Sequence, residues 1–219
     1  MNDKVYSKIK KSLSSLTIKD IIHIEENDPQ FKALKRMYSH YGTNKVLFIK
    51  LVVINALLSY QLPMKGEKYW ESFANYFSHN KNINSFPEFL KKNNYRLFNA
   101  KLKRFKKARE AVNEIFKTEK DLKNAINNIG EFLNRLSYLL NQKKDAKTVV
   151  FAIKMFIYAC RIMYNKNIIA PKGIFIPMDS RIKSISDDKN FWKKLEKETK
   201  IPLIHIDAIL WLSHEKWRK

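Results

Sequence analysis

Three charged residues stand in apolar surroundings that a solvated surface role does not explain: Lys147, Asp179 and Asp207. Lys147 opens a run, residues 145–160, that contains no Gly or Pro and is apolar on nearly every side, the pattern of a helix buried within a domain. A lysine at a helix start feels the positive end of the dipole, and burial also disfavours its ammonium form, so both effects favour the neutral amine. Such an amine is a nucleophile: it attacks a sugar C1′ or a carbonyl carbon and forms a Schiff base, while a nearby carboxylate stabilises the cationic transition state or moves protons. Asp179 supplies a carboxylate just after an apolar segment with two prolines, Pro171 and Pro177, where its ordinary role would be to cap the next helix. Asp207 interrupts the apolar run 201–212 and shares a face with Trp211 at i+4, a costly position for a carboxylate without a partner. The competing account of Lys147 is an ion pair, with Asp145 or with a distant acid.

These residues need elements to hold them. Asp145 is the expected N-cap of the buried helix. At 100° per residue, Lys147, Phe151, Lys154 and Tyr158 fall on one face, so a second amine, Lys154, lies beside the first. Residues 132–140 form the preceding helix, joined by the short polar connection 141–145 with Gln142, Lys143 and Lys144. Helix, short basic turn, helix is an arrangement that presents backbone N–H groups and lysines to DNA phosphate.

Before that hairpin, apolar spacing predicts helices over 2–16, from a cap at Thr17 through Ile24, over 30–41, 46–60, 101–116 and 121–129. Asn27-Asp28-Pro29 ends the second of them, and Gln30 follows the break. A loop over 62–67 delivers Trp70 with Tyr69, Phe73, Tyr76 and Phe77, mostly at helical spacing and suited to core packing. Residues 86–90 and 95–98 are expected to be apolar patches in loops, and 171–181 an extended connector before an amphipathic piece over 190–197.

Only 4 Gly and 6 Pro leave little material for a turn-rich β fold, and 45% hydrophobic content is enough to build a core, so the expected class is all-α. The balance of 43 basic against 21 acidic residues, 43 − 21 = +22, points to nucleic acid as the partner. The single Cys160 sits in the apolar helix as a packed thiol, which excludes a disulfide framework. His23, His40, His79, His205 and His214 are dispersed without metal-ligand spacing, and there is no Gly-rich phosphate loop or serine elbow. With no apolar run of about 18 residues and a Lys-rich N-terminus, neither a membrane span nor a signal peptide is expected, and the protein is expected to be intracellular, in the cytoplasm or nucleoid.

Six blocks occur in one order: Asp28-Pro29-Gln30-Phe31, Asn55-Ala56-Leu57-Leu58-Ser59-Tyr60, Gly66-Glu67-Lys68-Tyr69-Trp70, Lys147-Thr148-Val149-Val150-Phe151, Pro177-Met178-Asp179-Ser180-Arg181 and His205-Ile206-Asp207-Ala208-Ile209-Leu210-Trp211. In them the chain resembles the archaeal 8-oxoguanine DNA glycosylase/lyases, a divergent branch of the helix-hairpin-helix DNA glycosylases. The resemblance implies two helical lobes around a central DNA- and base-binding cleft. The central lobe, 61–147, would end in the hairpin and the catalytic lysine, and 1–60 with 148–219 would form the other. It implies Lys147 as the Schiff-base lysine and Asp179 as the catalytic aspartate. Phe151 and Trp211 would sandwich an extruded base, with Gln30, Trp70 and Asp207 lining its pocket. Lys154 would be a supporting charge and a second candidate nucleophile, and Gln142, Lys143 and Lys144 would meet the DNA backbone. The implied activity is excision of 8-oxoguanine through the Schiff base followed by β-elimination, by a monomer acting on lesion-containing DNA without cofactor or metal. A non-catalytic helical module for DNA or RNA, and a glycosylase for another damaged base, are the alternatives. The sequence departs from the superfamily in two respects: residues 141–144 contain no glycine, and one cysteine cannot build a four-cysteine iron-sulfur cluster.

Overall fold

The computed structural model describes residues 3–212, and every regular element among them is helical. The chain runs through α1 (Asp3–Ser14), α2 (Ile18–Glu26), α3 (Pro29–Tyr38), α4 (Lys45–Leu58), α5 (Gly66–His79), α6 (Phe86–Asn93) and α7 (Phe98–Ile115). It continues through α8 (Glu119–Asn127), α9 (Ile129–Leu139), α10 (Lys147–Tyr164), α11 (Ser180–Ile185), α12 (Lys189–Thr199) and α13 (Leu203–Leu212). The caps follow local chemistry. Thr17 and Asp20 make a reciprocal capping box on α2, and Thr118 with Asp121 makes one on α8. Asp28 caps α3 with Pro29 in its first turn, where a missing N–H costs nothing.

Two helices are buried almost all round and organise the rest. On α4, residues Phe48 to Leu58 are nearly all buried, and α10 is buried from Val149 to Arg161 apart from half-buried Phe151. They pack most extensively on each other, while α7 covers α4 and α3 lies on α5. This larger core also takes in Phe73, Phe77, Phe86 and Phe89. A smaller core gathers Ile9 and Leu13 of α1, Ile21 of α2, Trp192 of α12 and Ile206 and Leu210 of α13. The connector from 165 to 179 passes from one core to the other, placing Ile174 in the larger and Ile176 in the smaller.

The division of the cores differs from the expected lobe of 61–147. Both α3 and α4 belong to the larger core, as does nearly all of α10, because an all-apolar helix must be enclosed on every side and α4 and α10 enclose each other. A second difference is α6, expected as a loop: Pro87 sits in its first turn, and Phe86, Phe89 and Leu90, at i, i+3 and i+4, are all buried. A third is Gly130, which lies inside α9 rather than before it. His214 lies outside the described residues. Among the described residues no helix is long and apolar enough to cross a membrane, and no cluster of His, Cys, Asp and Glu could hold a metal ion.

Candidate active site

A cleft of about 230 Å³ opens where the two cores meet, and it gathers residues from six segments. Gln30 comes from α3, Ser59 and Leu62 from the turn after α4, Gly66 and Trp70 from α5, and Lys147, Phe151 and Lys154 from α10. The connector and α11 bring Pro177, Asp179, Ser180 and Arg181, and α13 brings Asp207 and Trp211. Eight of the residues singled out in the sequence therefore line one cavity: Gln30, Trp70, Lys147, Phe151, Lys154, Asp179, Asp207 and Trp211. Gln142, Lys143 and Lys144 do not line it, and stand exposed on the hairpin outside.

Lys147 is the first residue of α10 and is exposed, so the burial expected of it is absent. The N-cap is Ala146, which offers no side-chain hydrogen bond, rather than Asp145. The turn closed by Ala146 N–H on the Lys143 carbonyl carries Asp145 toward α12, where it pairs with Lys189. Lys147 consequently has no ion pair among the described residues, and its expected pairing with Asp145 does not form. The first turn of α10 presents bare N–H groups beside the amine.

Lys154, two turns along the same face, meets the opposite environment. It is 3% exposed, and its Nζ lies 2.6 Å from Asp207 Oδ2 and 3.5 Å from Asp28 Oδ2. Burial alone would strip its proton, but the attraction of Asp207 and then Asp28 outweighs burial and holds the amine above the ordinary lysine range. Asp28 does two jobs: its Oδ1 accepts the Gln30 N–H at 2.9 Å as the α3 cap, and its Oδ2 accepts the Tyr158 hydroxyl at 3.2 Å. Burial raises the Asp207 carboxyl against the pull of Lys154, and the nearby charges of Asp179 and Asp28 push the same way. One buried ammonium thus serves more carboxylate than it can neutralise.

Asp179 is the N-cap of α11, as its position in the sequence suggested: Oδ1 accepts the N–H groups of Arg181 and Ile182, each at 2.9 Å. Its Oδ2 accepts no hydrogen bond from the described residues, so the cap fixes the carboxylate and leaves one oxygen toward the cleft. Trp70, 1% exposed, meets Phe151 edge to face with centroids 5.9 Å apart. The Arg181 guanidinium lies 4.6 Å from the centroid of Trp211 and covers one face of that ring.

The glycine-free hairpin closes through Asn141. It takes φ 50 after α9, its N–H reaching Tyr138 O and the Gln142 N–H reaching Ser137 O, both at 2.9 Å. That is the paired closure a C-terminal glycine ordinarily makes, and asparagine tolerates the left-handed region. Sequence reasoning missed Asp28 as a member of the site, since an acid before Pro is accounted for by the cap alone. It also missed Arg181 and Leu62, which carry no signal beyond their neighbours.

A sequence profile of the family described as AGOG, N-glycosylase/DNA lyase, matches residues 10–219. The N-glycosylase/DNA lyase of Methanococcus maripaludis is 40% identical over 200 residues, covering 85% of this chain and 78% of the relative. That of Nanoarchaeum equitans is 39% identical over 205 residues, covering 92% and 87%. The crystal structure of an 8-oxoguanine DNA glycosylase from Pyrobaculum aerophilum, complexed with 8-oxoguanosine, superposes with a TM-score of 0.83 at 27% identity, over 97% of this chain and 88% of that one.

Proposed function

The chain belongs to the AGOG N-glycosylase/DNA lyase family, and from that premise we propose that it extrudes 8-oxoguanine from DNA, excises it with Lys147 and cleaves the strand at the resulting site. The observation that carries this reading is the convergence of an exposed amine, a fixed carboxylate and an aromatic-walled cavity in one cleft. The net charge of +22 draws the duplex in, and exposed Lys143, Lys144 and Gln142 on the hairpin take its phosphates. Extrusion costs a few kcal/mol, offset by stacking worth about 1–3 kcal/mol per base. Phe151 supplies one platform, and Trp211 offers the ring face that Arg181 leaves open. Gln30 and the Lys154–Asp207 pair meet the base edge with donors and acceptors, because a buried ion pair offers both.

The Lys147 amine, as nucleophile, forms a bond from Nζ to C1′ as the bond from C1′ to the base nitrogen breaks, and the departing base takes up a proton. Asp179 Oδ2 stabilises the cationic sugar and accepts the proton lost from Nζ. Opening of the C1′–O4′ bond leaves a protonated Schiff base and a hydroxyl at C4′. Removal of a C2′ proton then expels the 3′ phosphate, which is β-elimination. Lys154 does not compete as nucleophile, since its amine is held charged beneath the pocket.

Borohydride trapping on an oligonucleotide carrying 8-oxoguanine tests the proposal. Wild type should give a covalent adduct and Lys147→Gln none. Absence of the wild-type adduct, or equal trapping by the variant, would overturn it. Duplexes with other damaged bases in competition test the choice of substrate.

A further inference from the structure

Beside the cleft, the junction of α6 and α7 carries Tyr95 and Leu97, each 58% exposed, on either side of Arg96. Leu97 has φ 55, a left-handed conformation in which a branched apolar side chain is strained. The other non-glycine residues with positive φ among the described residues are Gln61, Asn141, Asn165 and Lys200, and none of them is apolar. Glycine would make this turn without strain, so the turn alone does not account for a leucine, and burial does not account for it either.

The segment is anchored to the cleft rim from below. Buried Asn94 donates to Leu58 O at 2.9 Å, and buried Lys101 donates to Asn94 O at 3.3 Å and Gln61 O at 3.4 Å. Arg96 donates to Leu62 O at 3.0 Å, and Leu62 itself lines the cleft. Arg104 binds Leu57 O at 2.8 Å and Thr148 Oγ1 at 2.5 Å, one residue from Lys147. These three cations grip backbone and side-chain oxygens around the rim and make no ion pair among the described residues. The rim is therefore rigid, positive and tipped with two apolar side chains.

We propose that Leu97, with Tyr95 beside it, inserts into the base stack of the duplex at the position the extruded base vacates, while Arg96 and Arg104 take the flanking phosphates. This rests on the reading that a base is extruded into the cleft. A vacated position closes again unless something occupies it, and apolar side chains inserted between base steps hold duplexes open in this way. The side chain must project rigidly to act as a wedge, which the strained turn and the anchors beneath it provide.

Two measurements on the full chain decide the proposal. Binding to a duplex with 2-aminopurine beside a stable abasic analogue should raise the fluorescence of that base in wild type, and Leu97→Gly should lose most of the rise at saturating protein. In single-turnover assays, Leu97→Gly should excise 8-oxoguanine from duplex about tenfold or more slowly, with cleavage at a preformed abasic site within about twofold of wild type. Glycine suits the left-handed turn, so the thermal midpoint should not fall, which separates insertion from folding. An unchanged fluorescence rise, or equal loss on both substrates, would overturn the insertion. If wild type excises no 8-oxoguanine, the proposed function fails, and the fluorescence arm still decides whether Leu97 inserts.

Discussion

Lys147 and Lys154 stand on one face of α10, two turns apart, in opposite environments. The first sits at the helix N-terminus, exposed and without an acid partner among the described residues, its proposed work being at the cleft mouth. The second is enclosed and bound to Asp207 and Asp28. An amine that must lose its proton and attack needs access and no carboxylate clamp. An amine that holds the pocket floor together needs burial and partners. The same side chain therefore serves as a proposed nucleophile or as a fixed charge according to its neighbours.

The comparison is broken most directly at Lys147. Replacing it with Gln should reduce strand cleavage by a factor on the order of 10³ or more, as loss of a covalent nucleophile does, with the thermal midpoint unchanged. Single-turnover cleavage and calorimetry check the two halves. Lys154→Met should do the reverse in kind: it leaves Asp207 and Asp28 buried without their cation, and urea unfolding should show a loss of about 3–5 kcal/mol. A stable Lys154→Met protein would mean that the buried pair is not what holds the floor.

Asp179→Asn sharpens the contrast from the acid side. Asparagine caps helices as well as aspartate does, so stability should stay within about 0.5 kcal/mol while excision falls about 100-fold, because the charge facing the sugar is gone. If Asp179→Asn retains full activity, the carboxylate serves only as a cap.

The smallest effects lie in the pH dependence. The raised folded-state value of Lys154 makes its stabilisation complete below the ordinary lysine value of about 10.4 and lost only as pH rises through the raised one. The stability gap between wild type and Lys154→Met should therefore stay level from pH 7 to about 10. At the acid end, burial raises Glu25, but the His205 hydrogen bond at 3.0 Å and the charges of His205 and Arg161 outweigh it and hold its carboxyl below the ordinary range. Its contribution is present above the ordinary value of about 4.3 and is lost as pH falls through the lowered one. Glu25→Gln should flatten the acid limb of the stability curve. A variant curve that keeps the wild-type slope there would remove Glu25 from that account.

Much of the helical order was legible because it is local. Apolar spacing placed α1, α7 and α12, the Thr17 box placed the start of α2, and the acid after Pro177 placed Asp179 as a cap. The failures are also physical. At residues 86–93 a short apolar stretch with Pro carries too few turns to separate helix from loop, and only packing on Phe73 and Phe77 resolves it. At Asp145, the best capping residue by type is drawn off by Lys189, 44 positions away, a partner no local pattern reveals.

The eight cleft residues were each identifiable from the sequence, by their misfit with apolar neighbours or by resemblance to known repair enzymes. The sequence by itself determined an all-helical, strongly basic chain with two amines on one helix face, because helical periodicity and charge depend only on residue type and spacing. Tertiary structure alone decided which amine is free. Charge pairing acts through space, and the carboxylates that clamp Lys154 come from α13 and from the cap of α3, far along the chain and brought beneath it by the fold.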